Sequence, residues 1–95
     1  MYRWNLSKTM FAAGDLSGAL AEARALQRIA PHIAGYHRWA ADVRQALGDN
    51  SGALADLRIA LREAPANWGY RWRVFLLDWR LRITGLIGRL DPRRG

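Results

Sequence analysis

A repeat with a period of 34 residues is the feature that most constrains how this chain can fold. The octet GDLSGALA runs from Gly14 to Ala21, and GDNSGALA runs from Gly48 to Ala55. When residues 12–31 are aligned with residues 46–65, twelve of the twenty positions are identical. A fixed period of about 20 to 50 residues is typical of proteins built from stacked structural units. The octet is therefore predicted to be part of a repeated architecture and not an active-site loop.

Each unit is predicted to contain two helices joined by a tight turn. Gly14 and Gly48 suit the left-handed residue that ends a helix, and Asp15 and Asp49 suit the capping position of the next helix. After each turn, leucines and alanines recur at helical spacing, and a proline closes the unit. The predicted helices cover residues 2–13, 16–29, 36–47 and 51–64.

These features resemble the tetratricopeptide repeat (TPR) family. The resemblance rests on the period, the interhelical glycines, the small residues of each second helix and the closing prolines, namely Gly14, Gly48, Ala19, Ala53, Ala60, Pro31 and Pro65. It covers residues 1–67, as two repeats at about 1–33 and 34–67. It implies an all-α fold in which antiparallel helix hairpins stack as a TPR-like α-solenoid, with a C-terminal capping helix.

The resemblance also implies a groove lined by the first helix of each repeat. Such a groove binds an extended peptide or a helix of a partner protein. The positions of this chain that match it are Trp4, Lys8, Phe11, Arg38 and Asp42. For Trp4 and Phe11, packing within the fold is an equally good interpretation.

Residues 68–95 form a Trp/Arg-rich amphipathic segment that ends in a basic tail. Projected as a helix, residues 68–90 carry two apolar stripes on nearly opposite sides. The first stripe contains Trp68, Trp72, Phe75, Trp79, Ile83 and Leu86, and the second contains Tyr70, Val74, Leu77 and Leu81. Arg73 and Arg80 lie on one seam between the stripes. A partial third unit would break at Thr84 and Gly85.

A helix that caps a stack needs one apolar face, so a second apolar stripe indicates a partner. Because the tryptophan spacing continues the repeat pattern, we expect the tryptophan stripe to pack on the preceding hairpin. The second stripe, with Arg73 and Arg80, is then the predicted partner-binding surface. The alternative is a helix that is buried on both sides within its own domain.

The charge of the chain favours an acidic partner. There are 15 Lys and Arg against 8 Asp and Glu, a formal net charge of +7. Residues 1–67 contribute +2 (eight basic, six acidic), and residues 68–95 contribute +5 (seven basic, two acidic). An acidic or apolar protein surface, an anionic membrane surface and nucleic acid all fit this excess. The acidic residues dispersed over residues 1–67 argue against nucleic acid, and a homo-oligomer is a further alternative.

Nothing in the sequence indicates catalysis, a cofactor or a metal site. The chain has no Cys, and His32 and His37 lack clustered carboxylates, so they are interpreted as turn or surface residues. No stretch of 18 residues is free of charge, and no signal peptide follows Met1. We therefore expect a cytoplasmic protein, with membrane association as an alternative.

The predicted function is a non-enzymatic protein–protein interaction module, as a small scaffold or adaptor subunit of a larger assembly. The alternative is attachment to a membrane surface or a membrane complex through the C-terminal helix. Nucleic-acid binding is the third candidate. The sequence does not identify the partner.

Overall fold

Five helices make up the computed structural model, which describes residues 2–90, with side chains described for residues 3–88. They are α1 (Tyr2–Ala12), α2 (Leu16–Ile29), α3 (Ala34–Ala46), α4 (Asn50–Glu63) and α5 (Trp68–Leu90). Each helix packs against the next one along the chain. Within the described range there is no strand, and the prediction of an all-α fold made of helical hairpins is confirmed. Residues 91–95 of the predicted basic tail lie outside the described residues.

The repeated octet forms the same turn twice. Gly14 and Gly48 adopt positive φ angles of 86° and 85°, which favour glycine. At the first turn, the N–H of Gly14 donates to the carbonyl of Phe11 and the N–H of Asp15 donates to the carbonyl of Met10. This pair of bonds is a Schellman motif, and the second turn repeats it. The turn therefore ends one helix and starts the next with only three residues between them.

An aspartate caps the second helix of each hairpin. The carboxylate of Asp15 accepts the N–H of Gly18, and that of Asp49 accepts the N–H of Gly52, each at 2.9 Å. A Cβ on Gly18 or Gly52 would collide with the capping carboxylate. This explains why both copies of the octet have a glycine three residues after the aspartate. The bond from Gly52 and a contact with the Arg44 guanidinium hold the pKa of Asp49 below its ordinary value of 3.8.

The core is built mainly from alanines and leucines. Ala41, Ala53, Leu54 and Leu57 form a buried cluster that Leu77 of α5 completes. Other alanines on α2, α3 and α4 are also fully buried. Because the alanine side chain is a single methyl group, helix backbones can approach closely at these positions.

A buried polar network joins α2, α3 and α4. His37 is buried, and the amide nitrogen of Gln27 lies 3.0 Å from its Nδ1 and donates to Oδ1 of Asp56, also at 3.0 Å. Because this nitrogen can only donate, Nδ1 of His37 accepts, and Nε2 donates to the carbonyl of Pro31 at 2.7 Å. Arg44 completes the network with an ion pair to Asp56 at 2.8 Å. The interpretation of His37 as a turn or surface histidine is therefore wrong.

Helix α5 runs without interruption from Trp68 to Leu90. The expected break at Thr84 and Gly85 is therefore wrong. Apart from the backbone of α5 itself, no atom of the described residues lies within 4 Å of the position that a Cβ on Gly85 would occupy, so none of the other helices forces a turn there. A single glycine inside a helix costs only about 1 kcal/mol relative to alanine, which is too little to end a helix of this length.

Candidate docking surface on the last helix

The second apolar stripe of α5 packs inward. Leu77 is 4% exposed and belongs to the core, and Val74 and Leu81 pack against the same cluster. Tyr70 is half-buried. The expectation that this stripe is the exposed partner-binding surface is therefore wrong. The physical reason is the compact aliphatic surface formed by Ala41, Ala53, Leu54 and Leu57, against which the slim side chains of the second stripe pack closely.

Polar contacts at both edges of its packed side join α5 to α3 and α4. On the α3 side, Nη2 of Arg73 donates to Oδ1 of Asp42 at 2.6 Å and to Oε1 of Gln45 at 2.9 Å. On the α4 side, Asp78 forms an ion pair with Arg58 at 3.5 Å. Arg73, which the sequence assigned to partner binding, is thus engaged within the fold.

The tryptophan stripe points away from the core, which reverses the expectation that it packs on the preceding hairpin. Four aromatic side chains are more than half exposed and form what we call the aromatic row, namely Trp68 (77%), Trp72 (61%), Phe75 (58%) and Trp79 (54%). Leu76, Leu86 and Ile87 extend this exposed apolar surface toward the end of the helix. From residue 68 to residue 87 the helix rises by about 28 Å. We call this side of α5 the outer face.

Aromatic contacts give the row a defined shape. The rings of Trp72 and Phe75 stack with their centroids 5.7 Å apart. The guanidinium of Arg71 lies 5.3 Å from the centre of the Trp68 ring, in cation–π range. Together these four residues line an open cleft of about 240 Å³. The outer face therefore offers a shaped apolar surface with a cation beside it.

Arginines border the outer face on both sides. At 100° per residue, Arg71 and Arg82 lie on one side of the aromatic row and Arg80 lies on the other. Arg82 contacts Asp78 at 3.3 Å, whereas Arg71 and Arg80 form no ion pair with any of residues 3–88. Arg80 instead lines a second cleft, of about 310 Å³, together with Trp79. Arg80, predicted to contact a partner, is thus available to do so.

The predicted groove residues fall into two side-chain clusters. In the first, the Trp4 ring lies 5.1 Å from Tyr36 and 6.1 Å from Trp39, and Phe11 lies 5.3 Å from Trp39. Lys8 places its Nζ 4.9 Å from the centre of the Trp4 ring. These aromatic side chains pack on one another between α1 and α3. Trp4 and Phe11 therefore pack within the fold, which was the alternative to contact with a partner. Partner binding at this cluster stays a prediction.

In the second cluster, Arg38 and Arg73 both donate to the carboxylate of Asp42, each at 2.6 Å. The structure thus brings Asp42 to α5, which no sequence pattern indicated.

Ser7 is fully buried, and no sequence pattern indicated this either. Its hydroxyl donates to the carbonyl of Ala19 at 2.8 Å and accepts from Nε1 of Trp39 at 2.7 Å. Helix α1 has no apolar stripe that would mark Ser7 as an inward-facing residue, so the sequence carried no signal for it.

No model of a known protein family matches the chain, and no curated protein has a significantly similar sequence. Within residues 2–90, no helix has both the length and the apolar character needed to cross a bilayer. In the same range, no cluster of three His, Cys, Asp or Glu side chains could hold a metal ion.

Proposed function

We propose that this chain is a non-enzymatic interaction module, a small subunit of a larger assembly, which docks onto a partner surface through the outer face of α5. In this proposal, α1 to α4 are two tetratricopeptide-like repeats that serve as a platform and hold α5 in a fixed orientation. The shared core around Leu57 and Leu77 and the contact between Arg73 and Asp42 support the role of the platform.

The single observation that carries the proposal is the exposure of the aromatic row on a helix whose opposite side is in the core. Full burial of one large apolar side chain stabilises a complex by about 1.5 to 3 kcal/mol, so Trp68, Trp72, Phe75 and Trp79 together represent a large unused driving force. Contiguous exposed apolar surface of this kind marks interaction sites in soluble proteins. Tryptophan and arginine are also the residues in which binding energy most often concentrates.

The chemistry of the face defines what its partner must offer. The middle of the partner surface must be apolar, to cover the aromatic row. Its margins must be acidic, because Arg71 and Arg80 flank the row and form no ion pair with residues 3–88. A chain that presents such a face to a partner surface of this kind would serve as an adaptor or scaffold subunit of a larger assembly.

The proposal can be tested by comparing what wild-type and variant proteins capture from cells that produce the chain. We expect Trp72→Ala combined with Trp79→Ala to abolish capture of the specific partner set from soluble and membrane fractions. Ile29→Ala is the matched control, because Ile29 is an exposed apolar residue on α2. Equal capture by the double variant and the wild type, measured by quantitative mass spectrometry, would contradict docking through the outer face.

A further inference from the structure

We infer that the surface recognised by the outer face of α5 is an anionic lipid bilayer. This inference rests on the proposed docking function and names the occupant of the same face. The helix would lie in the plane of the membrane surface, with the aromatic row inserted and α1 to α4 remaining in water.

The geometry of the row suits a lipid interface. The exposed apolar side chains follow one side of α5 over about 28 Å of helix, from Trp68 to Ile87. Interfacial helices bury such a face by about 5 to 10 Å into the boundary between headgroups and acyl chains. Tryptophan is favoured at this depth because its ring is apolar while its N–H still reaches polar groups.

The charge around the row points to anionic headgroups in particular. Arginines lie on both sides of the row, so each of them would reach the headgroup layer when the row inserts. The one acidic residue between positions 68 and 90 is Asp78, which Arg58 and Arg82 already contact. Each arginine near an anionic surface strengthens binding by about 1 kcal/mol, or about fivefold. Arg71 and Arg80 together thus account for about thirtyfold.

Charge also argues against a second copy of the chain as the occupant. Pairing two outer faces would bring the arginines beside one row close to those beside the other, and like charges at an interface oppose association. A folded protein would need an open groove with carboxylates along both rims. A bilayer with acidic lipids supplies the apolar interior and the anionic margins at once.

The test uses the full chain and vesicles of two compositions, phosphatidylcholine alone and phosphatidylcholine mixed equally with phosphatidylglycerol. We expect the chain to sediment with the mixed vesicles and not with phosphatidylcholine alone, and to be released as salt rises. Tryptophan emission should shift to the blue on binding, and lipids brominated near the headgroup should quench it. Absence of sedimentation with the mixed vesicles would overturn the inference.

Two variants assign the binding to the outer face. Trp72→Ala with Trp79→Ala should weaken binding on the order of a hundredfold, because two inserted rings are lost. Arg71→Gln with Arg80→Gln should weaken it about thirtyfold. Arg24→Gln with Arg28→Gln is the control of equal net charge, since these exposed arginines lie on α2, and it should weaken binding much less. An equal loss in the control would show that net charge alone drives binding and would overturn the inference.

Failure of the inference can be distinguished from failure of the docking function. If the vesicles do not bind but capture from cells still depends on Trp72 and Trp79, the occupant is a protein and the lipid inference is wrong. A wild-type dimer that these substitutions dissociate, detected by light scattering, would identify a second copy instead. If neither vesicles nor cellular partners depend on the row, both proposals fail.

Discussion

Arg73 on α5 donates from Nη2 to Oδ1 of Asp42 on α3 across 2.6 Å. This contact lies at the edge of the packed side of α5 and accompanies the rotation of the helix that buries its second apolar stripe. The rotation that brings Arg73 to Asp42 also places Leu77 in the core and leaves Trp72 and Trp79 exposed. The docking surface therefore depends on how a long helix is held by its neighbours.

The contact between Arg73 and Asp42 should contribute measurably to stability. We expect Arg73→Met to lower the free energy of unfolding by about 1 kcal/mol, because a partly buried, charge-assisted hydrogen bond is lost. For a domain of this size, this corresponds to a decrease in melting temperature of about 4 to 8 °C. Arg80→Met is the matched control and should leave thermal melting nearly unchanged, since Arg80 forms no ion pair with residues 3–88. Equal melting temperatures of the two variants would argue against a structural role for Arg73.

The buried histidine provides a second test within the chain. His37→Ala should destabilise the fold by about 1 to 3 kcal/mol, because it leaves the Pro31 carbonyl and one of the two N–H groups of the Gln27 amide without their partner. His32, five positions earlier, is exposed, and His32→Ala should change stability by no more than about 0.5 kcal/mol. Urea unfolding of both variants measures the difference. A comparable effect of the two substitutions would contradict the buried network.

The cap of α4 predicts a dependence of stability on pH. The pKa of Asp49 is lower in the folded chain than its ordinary value of 3.8, so its charge stabilises the fold above that value. This stabilisation is lost as the pH falls through the lower, folded pKa. The advantage of the wild type over Asp49→Asn should therefore be greatest above pH 3.8 and shrink as the pH falls below it. Urea unfolding across this range measures the advantage, and a constant value would contradict the role of the Asp49 charge.

Alanine substitutions at two glycines, one in a turn and one inside a helix, test the backbone conformation at each position. Gly48→Ala should destabilise the fold by about 1 kcal/mol, because Gly48 has a positive φ angle that alanine adopts only with strain. Gly85→Ala should instead stabilise it by about 0.5 to 1 kcal/mol, because Gly85 lies inside α5 and no other helix of the described part of the chain approaches it. If Gly85→Ala lowers both the helicity measured by circular dichroism and the melting temperature, α5 does not continue through this residue.

The repeated parts of the fold were predictable because their determinants are local. Gly14 and Gly48 set the turns, Asp15 and Asp49 cap the following helices, and these positions are fixed by neighbours within a few residues. The start of α3 at Ala34 lies two residues before the predicted start, since no side chain caps it. The turn and capping residues thus predicted the hairpins, whereas the start of a helix without a capping side chain was predicted less accurately.

The orientation of α5 and the environment of His37 could not be predicted in the same way, because both depend on distant residues. Both stripes of α5 have helical spacing, and the choice between them depends on which one packs against Ala41, Ala53, Leu54 and Leu57. In the sequence, Ala53 was the available indication of a close helix approach, and Leu77 packs in the cluster that contains it. The partners of His37 lie on other helices, and no spacing in the sequence connects them.

The central claim, that α5 buries its leucine side and presents its aromatic row, is tested most directly by thermal melting of two double variants. Leu77→Asp with Leu81→Asp should unfold the chain, because a charge would be placed in the core without a partner. Trp72→Asp with Trp79→Asp should keep helicity and melting temperature close to those of the wild type. The account is contradicted if the tryptophan variant unfolds while the leucine variant melts like the wild type, or if both unfold equally.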